Sequence, residues 1–259
     1  AEGVSWRVDR FILPLVARYC GALGLDPGSI RILDCGCGGG ASIDALRSRG
    51  FRAVGIDAGR SRQEQWRERS FGEHLHSANA LELPFADRTF DAVISSGLIE
   101  HIGIQEEETD VYAARRLPDC ETQRLRFIRE LVRVLTAGGF ILLDHPNGRF
   151  PVDFWHGGRS GSFRWHRLQG DMLPTYGEIA QYFRQADPAL HLRSLSPAQR
   201  LRFNQVRHHW YGRLFAPVMK VWLSFLGARP LSLLSRSFLN PYLVTIASRA
   251  RNAADWIYP

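Results

Sequence analysis

The sequence predicts a doubly wound α/β protein, and three observations indicate this fold class. Short apolar segments alternate with amphipathic helical segments through the first 146 residues, which is typical of a parallel sheet covered by helices. A glycine-rich turn follows the first of these apolar segments, where a chain must turn sharply from strand to helix. The 259 residues, 45% of them hydrophobic and 23% charged, are enough for one large buried core.

The N-terminal region begins with a predicted helix over residues 4–23, because Val8, Phe11, Ile12 and Leu15 recur at helical spacing. The next predicted elements are strands at 30–34, 53–57, 74–76, 92–95 and 140–143, separated by helices at 41–49, 63–69 and 122–135. We expect the glycine pair at 138–139 to end the last of these helices.

The C-terminal region completes the predicted sheet. Thr175 and Glu178 form a capping-box pattern that opens a helix. Two further strands are predicted at 190–195 and 242–248, and between them residues 196–239 are helical, aromatic and basic in character. The full prediction is therefore a Rossmann-like, mostly parallel seven-stranded sheet with an N-terminal helix and a helical insertion before the last strand.

Composition excludes several protein classes. No uncharged stretch approaches the roughly 20 apolar residues of a membrane span. Asp9, Arg10 and Arg18 interrupt the N-terminal apolar run, so it does not resemble a signal peptide. The four cysteines suggest reduced thiols rather than a disulfide framework. We therefore expect a cytoplasmic protein, with a position at the inner face of the membrane as an open alternative.

Charge is distributed unevenly along the chain. Residues 1–150 carry 19 arginines against 21 acidic residues, whereas residues 151–259 carry a net charge of +9. A basic C-terminal half favours an anionic partner such as a lipid surface, a phosphorylated substrate or nucleic acid. Because 32 of the 33 basic residues are arginine, genome base composition is an alternative explanation.

The glycine-rich turn has the character of a cofactor site. Gly36, Gly38 and Ala41 satisfy the dinucleotide pattern G-x-G-x-x-G/A, and Asp57 ends the following strand, where it can accept hydrogen bonds from a ribose. No Gly-Lys-Ser/Thr sequence follows the turn, which excludes a Walker-type phosphate loop.

The wider pattern resembles class I S-adenosylmethionine-dependent methyltransferases of the type 11-like group. Asp34 with Gly36, Gly38 and Gly40 resembles the first motif of that family. The later family blocks are similar to residues 79–85, 89–96 and 131–140. The resemblance runs from about residue 28 to 146 and resumes near Asn240, and it implies S-adenosylmethionine as the cofactor.

The resemblance also implies roles for individual residues. Asp34 would lie near the cofactor's ammonium group, the glycines would leave room for the cofactor, and Asp57 would accept from both ribose hydroxyls. Asn79 would face the adenine, where the family more often has Asp. The implied cofactor-binding set is Asp34, Gly36, Gly38, Gly40, Asp57, Asn79, Ala80 and Ser96.

Candidate catalytic residues follow two predicted strands, since open α/β sheets build their sites at strand carboxyl ends. Glu100 and His101 follow the fourth strand, and their Glu-His pair resembles a recurrent family segment. We predict His101 as a general base, against the alternative of a histidine that only packs. His145, with Asp144, follows the fifth strand and is a further candidate.

The loop after the fifth strand supplies weaker candidates. Asp153, His156 and His166 fall in this loop, on the expected substrate side. These residues lack a recognisable ligand spacing, so we expect no metal.

The predicted organisation is a single domain with three regions: an N-terminal helix at 1–27, a cofactor-binding core at 28–146 and an acceptor-side region at 147–259. Within the last region, apolar residues recur at helical spacing from Leu214 to Leu226 beside basic residues. Such a helix either lies in a bilayer interface or covers the sheet.

The resulting functional hypothesis is methyl transfer to a small-molecule, glycan or lipid-linked acceptor, at oxygen. An RNA methyltransferase is the alternative enzyme, although the fourth strand leads into Ser95-Ser96-Gly97-Leu98 rather than an Asn/Asp-Pro-Pro-Tyr/Phe segment. A cofactor-binding protein without methyl transfer is the alternative from another class. The oligomeric state stays open.

Overall fold

The computed structural model describes residues 2–107, 113–156, 164–165, 172–200, 210–226 and 231–249. Eleven strands occur in these residues: β1 (Arg31–Cys35), β2 (Arg52–Asp57), β3 (Leu75–Ser77), β4 (Phe90–Ser96), β5 (Ile104–Glu107), β6 (Ala113–Arg116), β7 (Leu135–Pro146), β8 (Val152–Asp153), β9 (Arg164–Trp165), β10 (His191–Leu195) and β11 (Tyr242–Ser248). Seven of them form one sheet in the order β10-β11-β7-β4-β1-β2-β3, which confirms the predicted fold class.

The sheet is parallel except at one edge. Strands β3, β2, β1, β4 and β7 pair in parallel, and β11 and β10 add antiparallel pairs. Chain order reverses at β1, which has β2 on one side and β4 on the other. The carboxyl ends of β1 and β4 therefore flank the crevice in which open α/β sheets bind ligands.

Helices cover both faces of the sheet. They are α1 (Glu2–Arg7), α2 (Leu13–Leu23), α3 (Ala41–Arg47), α4 (Arg60–Gln63), α5 (Cys120–Val134), α6 (Tyr176–Ala186) and α7 (Trp210–Phe225). A π-helical turn at Val8–Ile12 joins α1 to α2, so the predicted N-terminal helix is one continuous element that ends at Leu23.

Two hydrophobic layers hold the helices to the sheet. Apolar residues of α2, α3 and α7 form one layer, and those of α5 and α6 form the other. Phe127 of α5 and Phe183 of α6 are fully buried. Each such side chain stabilises the fold by about 1.5–3 kcal/mol through apolar burial.

Helix α6 begins at the predicted capping box. The Glu178 amide donates to Thr175 Oγ1 over 3.2 Å, and the Thr175 amide donates to the Glu178 carboxylate over 2.7 Å. Two amides at the helix start are thereby satisfied, which confirms the sequence prediction.

The glycine pair does not end the preceding helix, and that prediction is wrong. Helix α5 ends at Val134 because Leu135 is already extended and begins β7. A Cβ atom on Gly139 would lie 2.7 Å from the Asp91 carbonyl oxygen. The pair thus permits close approach of β7 to β4.

Other differences are smaller. The helix predicted at 63–69 is replaced by α4 and a 3₁₀ turn at Glu64–Glu68. Two antiparallel hairpins, β5-β6 and β8-β9, have no counterpart in the predictions.

The helical insertion contains α7 and a 3₁₀ segment at Leu231–Arg236, while residues 201–209 and 227–230 lie outside the described part of the chain. On α7, Leu223 and Leu226 are buried, whereas Val218, Val221 and Phe225 are more than half exposed. The helix therefore covers the sheet with one face and presents apolar residues on another. Among the described helices, none has both the length and the apolar character needed to cross a bilayer.

Candidate active site

The glycine turn after β1 folds back onto β2. The amides of Gly36 and Cys37 both donate to the Ile56 carbonyl, each over 2.9 Å. Gly36, Gly38 and Gly40 have φ angles of +86°, +56° and +78°, a region that disfavours side chains. The sequence of alternate glycines is therefore required by the backbone of this turn.

The three glycines differ in their surroundings. A Cβ atom on Gly36 would lie 2.9 Å from a Leu98 methyl group, and one on Gly40 would lie 2.4 Å from a Leu75 methyl group. A Cβ atom on Gly38 would meet no heavy atom of the described residues within 4 Å. Gly38 thus exposes bare backbone to the crevice, as a closely bound cofactor requires.

Asp57, at the end of β2, is bonded to the same turn. Its Oδ2 accepts from the Gly38 amide over 2.9 Å, and its Oδ1 accepts from the Gly59 amide over 2.8 Å. Each carboxylate oxygen can accept a second hydrogen bond. The side chain is thereby fixed beside Gly38, in a position consistent with the predicted contact to ribose hydroxyls.

Asp34 supplies a buried carboxylate one strand away. It is 2% exposed, and Ser42 Oγ donates to its Oδ2. Its Oδ1 is buried and has no hydrogen-bond partner in the described part of the chain. Burial raises the pKa of Asp34, although the Arg7 guanidinium and the Ser42 hydroxyl act in the opposite direction. The uncompensated oxygen fits an ammonium group of a cofactor.

The remaining predicted cofactor residues lie around this pair. Ser96, at the end of β4, donates to Asp144 Oδ2 over 2.7 Å. Asn79 is exposed, and its side-chain oxygen accepts from the Leu81 amide over 2.9 Å, whereas Ala80 is buried. The sheet order places Asp57, Asp34 and Ser96 on adjacent strands, and the cofactor roles of all eight residues stay predictions.

Residues that sequence reasoning missed brace the turn from outside. Trp66 Nε1 donates to the Gly38 carbonyl over 2.8 Å, and Arg69 Nε donates to the Gly39 carbonyl over 2.5 Å. Both lie at or just after the 3₁₀ turn that replaces the predicted helix. Arg7 of the N-terminal helix adds positive charge that favours ionisation of both Asp34 and Asp144. A local motif search has no signal for such long-range contacts.

A second group of polar side chains lies just beyond β4. Glu100 and His101 occupy a 3₁₀ turn, and His156 reaches them from the loop after β8. One carboxylate oxygen of Glu100 and one ring nitrogen of each histidine lie within 4.8 Å of one another. We call these three residues the Glu-His-His group.

Each histidine of the group is oriented by a carboxylate. His101 Nδ1 donates to Glu106 Oε1, and His156 Nδ1 donates to Asp153 Oδ2 over 2.8 Å. Because a carboxylate only accepts, Nδ1 of each ring carries the proton. In the neutral rings the lone pair is therefore on Nε2, where it can accept a proton or bind a cation.

Glu100 and Asp153 are buried carboxyl groups whose pKa values are shifted in opposite directions. Burial raises the pKa of Glu100 to about 7, and its Oε2 has no partner within the described residues. Burial also opposes ionisation of Asp153, but its hydrogen bond and charge interaction with His156 lower the pKa to about 2. Asp153 also accepts from Arg164 Nε over 3.0 Å. Sequence analysis places Asp153 and His156 in this loop but does not predict their pairing.

Asp144 forms a buried network at the end of β7. Its Oδ1 accepts from Arg200 Nη2 over 2.8 Å and from the Tyr242 hydroxyl over 2.6 Å. Burial disfavours the charge, yet the Arg200 guanidinium holds the pKa of Asp144 below its usual value. The Trp155 and Tyr242 rings pack with centroids 4.8 Å apart. These side chains form an aromatic and cationic wall next to Ser96.

His145 is not one of the residues of the Glu-His-His group. Side chains alternate along a strand, so His145 and Asp144 face opposite sides of the sheet. His145 is fully buried, its Nδ1 donates to the Pro146 carbonyl over 2.7 Å, and burial lowers its pKa to about 4. This placement gives a buried neutral ring, and the predicted catalytic role of His145 stays a prediction. His166 lies outside the described residues.

Arg124 of α5 fixes the turn that carries Glu100. It is fully buried and donates to the backbone carbonyls of Ile102 over 3.2 Å, Glu100 over 3.4 Å and Met172. Because this buried guanidinium donates to backbone carbonyl groups, Arg124 holds the turn in position and is not assigned a catalytic role.

Comparison with known proteins agrees with this geometry. A family model described as a methyltransferase domain matches residues 33–143. The chain is 28% identical over 116 residues to a probable S-adenosylmethionine-dependent methyltransferase of Mycolicibacterium smegmatis, covering 45% of this chain and 38% of that protein. The chain thus matches well under half the length of this curated relative.

Two further relatives differ in the acceptors that their names give. A ubiquinone biosynthesis O-methyltransferase of Mesorhizobium japonicum is 26% identical over 44% of this chain and 46% of that protein. A probable tRNA methyltransferase 9B of Mus musculus is 32% identical over 48% of this chain and 24% of that protein.

The fold also matches a solved structure. An S-adenosylmethionine-dependent methyltransferase from Mesorhizobium loti superposes with a TM-score of 0.51 at 16% identity, over 85% of this chain and 91% of that one. The sheet order, the glycine turn and the family match together identify residues 33–143 as a class I S-adenosylmethionine-dependent methyltransferase domain, whose cofactor is S-adenosylmethionine.

Proposed function

We propose that this chain transfers a methyl group from S-adenosylmethionine to a hydroxyl group of a small-molecule, glycan or lipid-linked acceptor. The observation that supports the proposal is the Glu-His-His group, which lies one turn beyond Ser96. We assign this part of the crevice to the acceptor. S-adenosylmethionine, when bound, supplies a methyl group already activated on a sulfonium. A hydroxyl acceptor is activated when a positioned base takes its proton, and these side chains can supply such a base.

The chain's own residues would act mainly through alignment. Gly38 and Asp57 hold the cofactor side of the crevice, while the wall of Trp155, Tyr242 and Arg200 faces the acceptor side. Positioning two reactants supplies up to roughly 7–11 kcal/mol in the best intramolecular cases.

Proton removal would be the second contribution. In the proposal, Nε2 of His101 accepts the hydroxyl proton, because Glu106 holds the Nδ1 proton in place. A positioned general base typically contributes about 10²- to 10⁴-fold in rate. Glu100 and His156 complete the polar environment around this ring.

A lipid-linked acceptor is favoured by the surface of the C-terminal region. Val218, Val221 and Phe225 are exposed along α7, and residues 151–259 carry a net charge of +9. An apolar helix face within a basic region suits the interface of an anionic membrane. The proposal therefore includes a cytoplasmic location with peripheral contact at the inner membrane face, in glycan or lipid biosynthesis.

An RNA acceptor is the second candidate, supported by the relative named as a probable tRNA methyltransferase and by the basic C-terminal half. Arginine and aromatic side chains can hold phosphates and stack bases. The exposed apolar face of α7 favours the lipid-linked acceptor over this alternative.

The test is transfer of radiolabelled methyl from S-adenosylmethionine into fractionated host extract, with His101→Ala as the matched variant. Label in the organic-soluble or glycan fraction, reduced in the variant, would support the proposal. Label released by ribonuclease would favour the RNA alternative. No label in any fraction, with the cofactor still bound, would favour a binding protein without methyl transfer.

A further inference from the structure

We infer that Glu100, His101 and His156 form a binding site for a divalent transition-metal ion of the zinc class. Their ligand atoms lie within 4.8 Å of one another although they come from two separate segments. Zinc bonds of about 2.0–2.2 Å place tetrahedral ligand atoms roughly 3.4 Å apart, so the group must contract when an ion binds. His101 is about one-third exposed on a short turn, so rotation of its side chain can provide part of that contraction.

The unsatisfied oxygen of Glu100 is an independent indication of a bound cation. Glu100 is 2% exposed, and its Oε2 has no hydrogen-bond partner in the described segments. A buried carboxylate is costly unless it is paired, hydrogen-bonded or bound to a metal. Arg124, the nearby buried cation, donates to the backbone carbonyl of Glu100 rather than serving this oxygen.

The carboxylates behind the two histidines favour metal binding as well. Asp153 and Glu106 accept the Nδ1 protons of His156 and His101, so the lone pair of each neutral ring lies on Nε2. Metal-binding histidines usually donate their other ring nitrogen to a carboxylate or carbonyl in this way. Asp153 is itself fully buried and held by backbone amides of the same loop.

The donor set selects the class of ion. Two imidazoles and one carboxylate suit zinc and its neighbours, whereas magnesium prefers oxygen ligands alone. Two histidines and one glutamate are also a known catalytic zinc set that keeps a position for water or substrate. The inference concerns binding of the ion alone. A bound ion would occupy a ring nitrogen of His101 and would compete with the proton acceptance that the proposed function assigns to this ring.

The experiment is titration of the metal-free chain with Co²⁺, followed by visible absorption and calorimetry, without cofactor or acceptor. The site variants are Glu100→Gln and His101→Gln, and the control is His76→Gln, an exposed histidine on β3. We expect one Co²⁺ with the intense absorption of a low-coordinate site in wild type and control, displaced by Zn²⁺ but not by Mg²⁺. Loss of a supporting residue alone typically costs about 10- to 100-fold in metal affinity, so each site variant should lose at least about 100-fold.

The inference is overturned if wild type shows no saturable uptake, or if the site variants bind Co²⁺ as tightly as the control. Circular dichroism identifies a variant that fails to fold, and the partly exposed His101 offers a test if Glu100→Gln is unstable. Because this titration needs no methyl transfer, failure of the metal site and failure of the proposed function remain distinguishable.

Discussion

The proposed cofactor side and the proposed acceptor side of the crevice are built differently. The cofactor side is mainly backbone. It consists of three glycines with positive φ angles and one carboxylate that accepts hydrogen bonds from two backbone amides. The acceptor side is a network of side chains from the β4 turn, the β8 loop, Arg200 and Tyr242. A backbone site appears in the sequence as a compact motif, whereas a side-chain network is assembled only by the fold.

The largest effect should come from the acceptor side. His101→Ala removes the proposed proton acceptor and should lower turnover by about 10²- to 10⁴-fold. Cofactor affinity should stay near that of the wild type, because His101 contacts Glu106 and not the glycine turn. Labelled-methyl transfer and calorimetry on the same preparation measure both quantities. Unchanged turnover would remove His101 from this role.

A stability measurement against pH tests the buried His145 on the other face of the sheet. Its pKa of about 4 in the folded chain is below the unfolded value of about 6.5. Above pH 6.5 His145 is neutral in both the folded and the unfolded chain, and its contribution to the free energy of unfolding is fully present. As the pH falls from 6.5 to 4, only the unfolded chain binds the proton, so stability should fall by up to roughly 3 kcal/mol.

Chemical denaturation of wild type and His145→Gln across that range measures this contribution. As the pH falls, the free energy of unfolding should decrease less in the variant than in the wild type, whatever the variant's stability at neutral pH. Parallel curves for the two proteins would show that His145 does not titrate as described.

On the cofactor side, Asp57→Ala should weaken cofactor binding by roughly 1.5–3 kcal/mol, the usual value of a hydrogen bond to a charged group. The exposed Asp87, which pairs with Arg133 away from the crevice, provides the control Asp87→Ala. Calorimetric titration with S-adenosylmethionine compares the two variants. Equal affinities would contradict the proposed ribose contact.

The smallest expected effect is on stability, from a residue that belongs to neither side of the crevice. Thr175→Ala removes the N-cap of α6 and should cost about 1 kcal/mol of stability. Thermal unfolding measures this loss. Thr175 contributes no side chain to either side of the crevice, so cofactor affinity and turnover per folded molecule should stay unchanged. A loss of either would show that the two sides depend on this helix.

The fold was largely predictable because alternating strands and helices follow local rules. The seven strands and the capping box at Thr175 are confirmed. The helix end was missed because Leu135 begins a strand before the glycine pair is reached, and tertiary pairing with β4 overrides the glycine signal.

The parts of the site that lie close together in the sequence were predictable, whereas contacts between distant segments were not. Asp34, Asp57 and the glycines fall in one motif, so their placement at adjacent strand ends could be expected. The partnership of His156 with Asp153 and the bracing of the turn by Trp66 depend on loop paths that no periodicity specifies. Glu100 and His101 were found by position, but their contact with His156 was not.

The most direct test of the two-sided site compares Asp57→Ala and His101→Ala in the same two assays, cofactor dissociation constant and labelled-methyl turnover. We predict that Asp57→Ala raises the dissociation constant, while His101→Ala lowers turnover with the dissociation constant unchanged. If His101→Ala weakened cofactor binding as much as Asp57→Ala, or left methyl transfer intact, the division into a cofactor side and an acceptor side would be wrong.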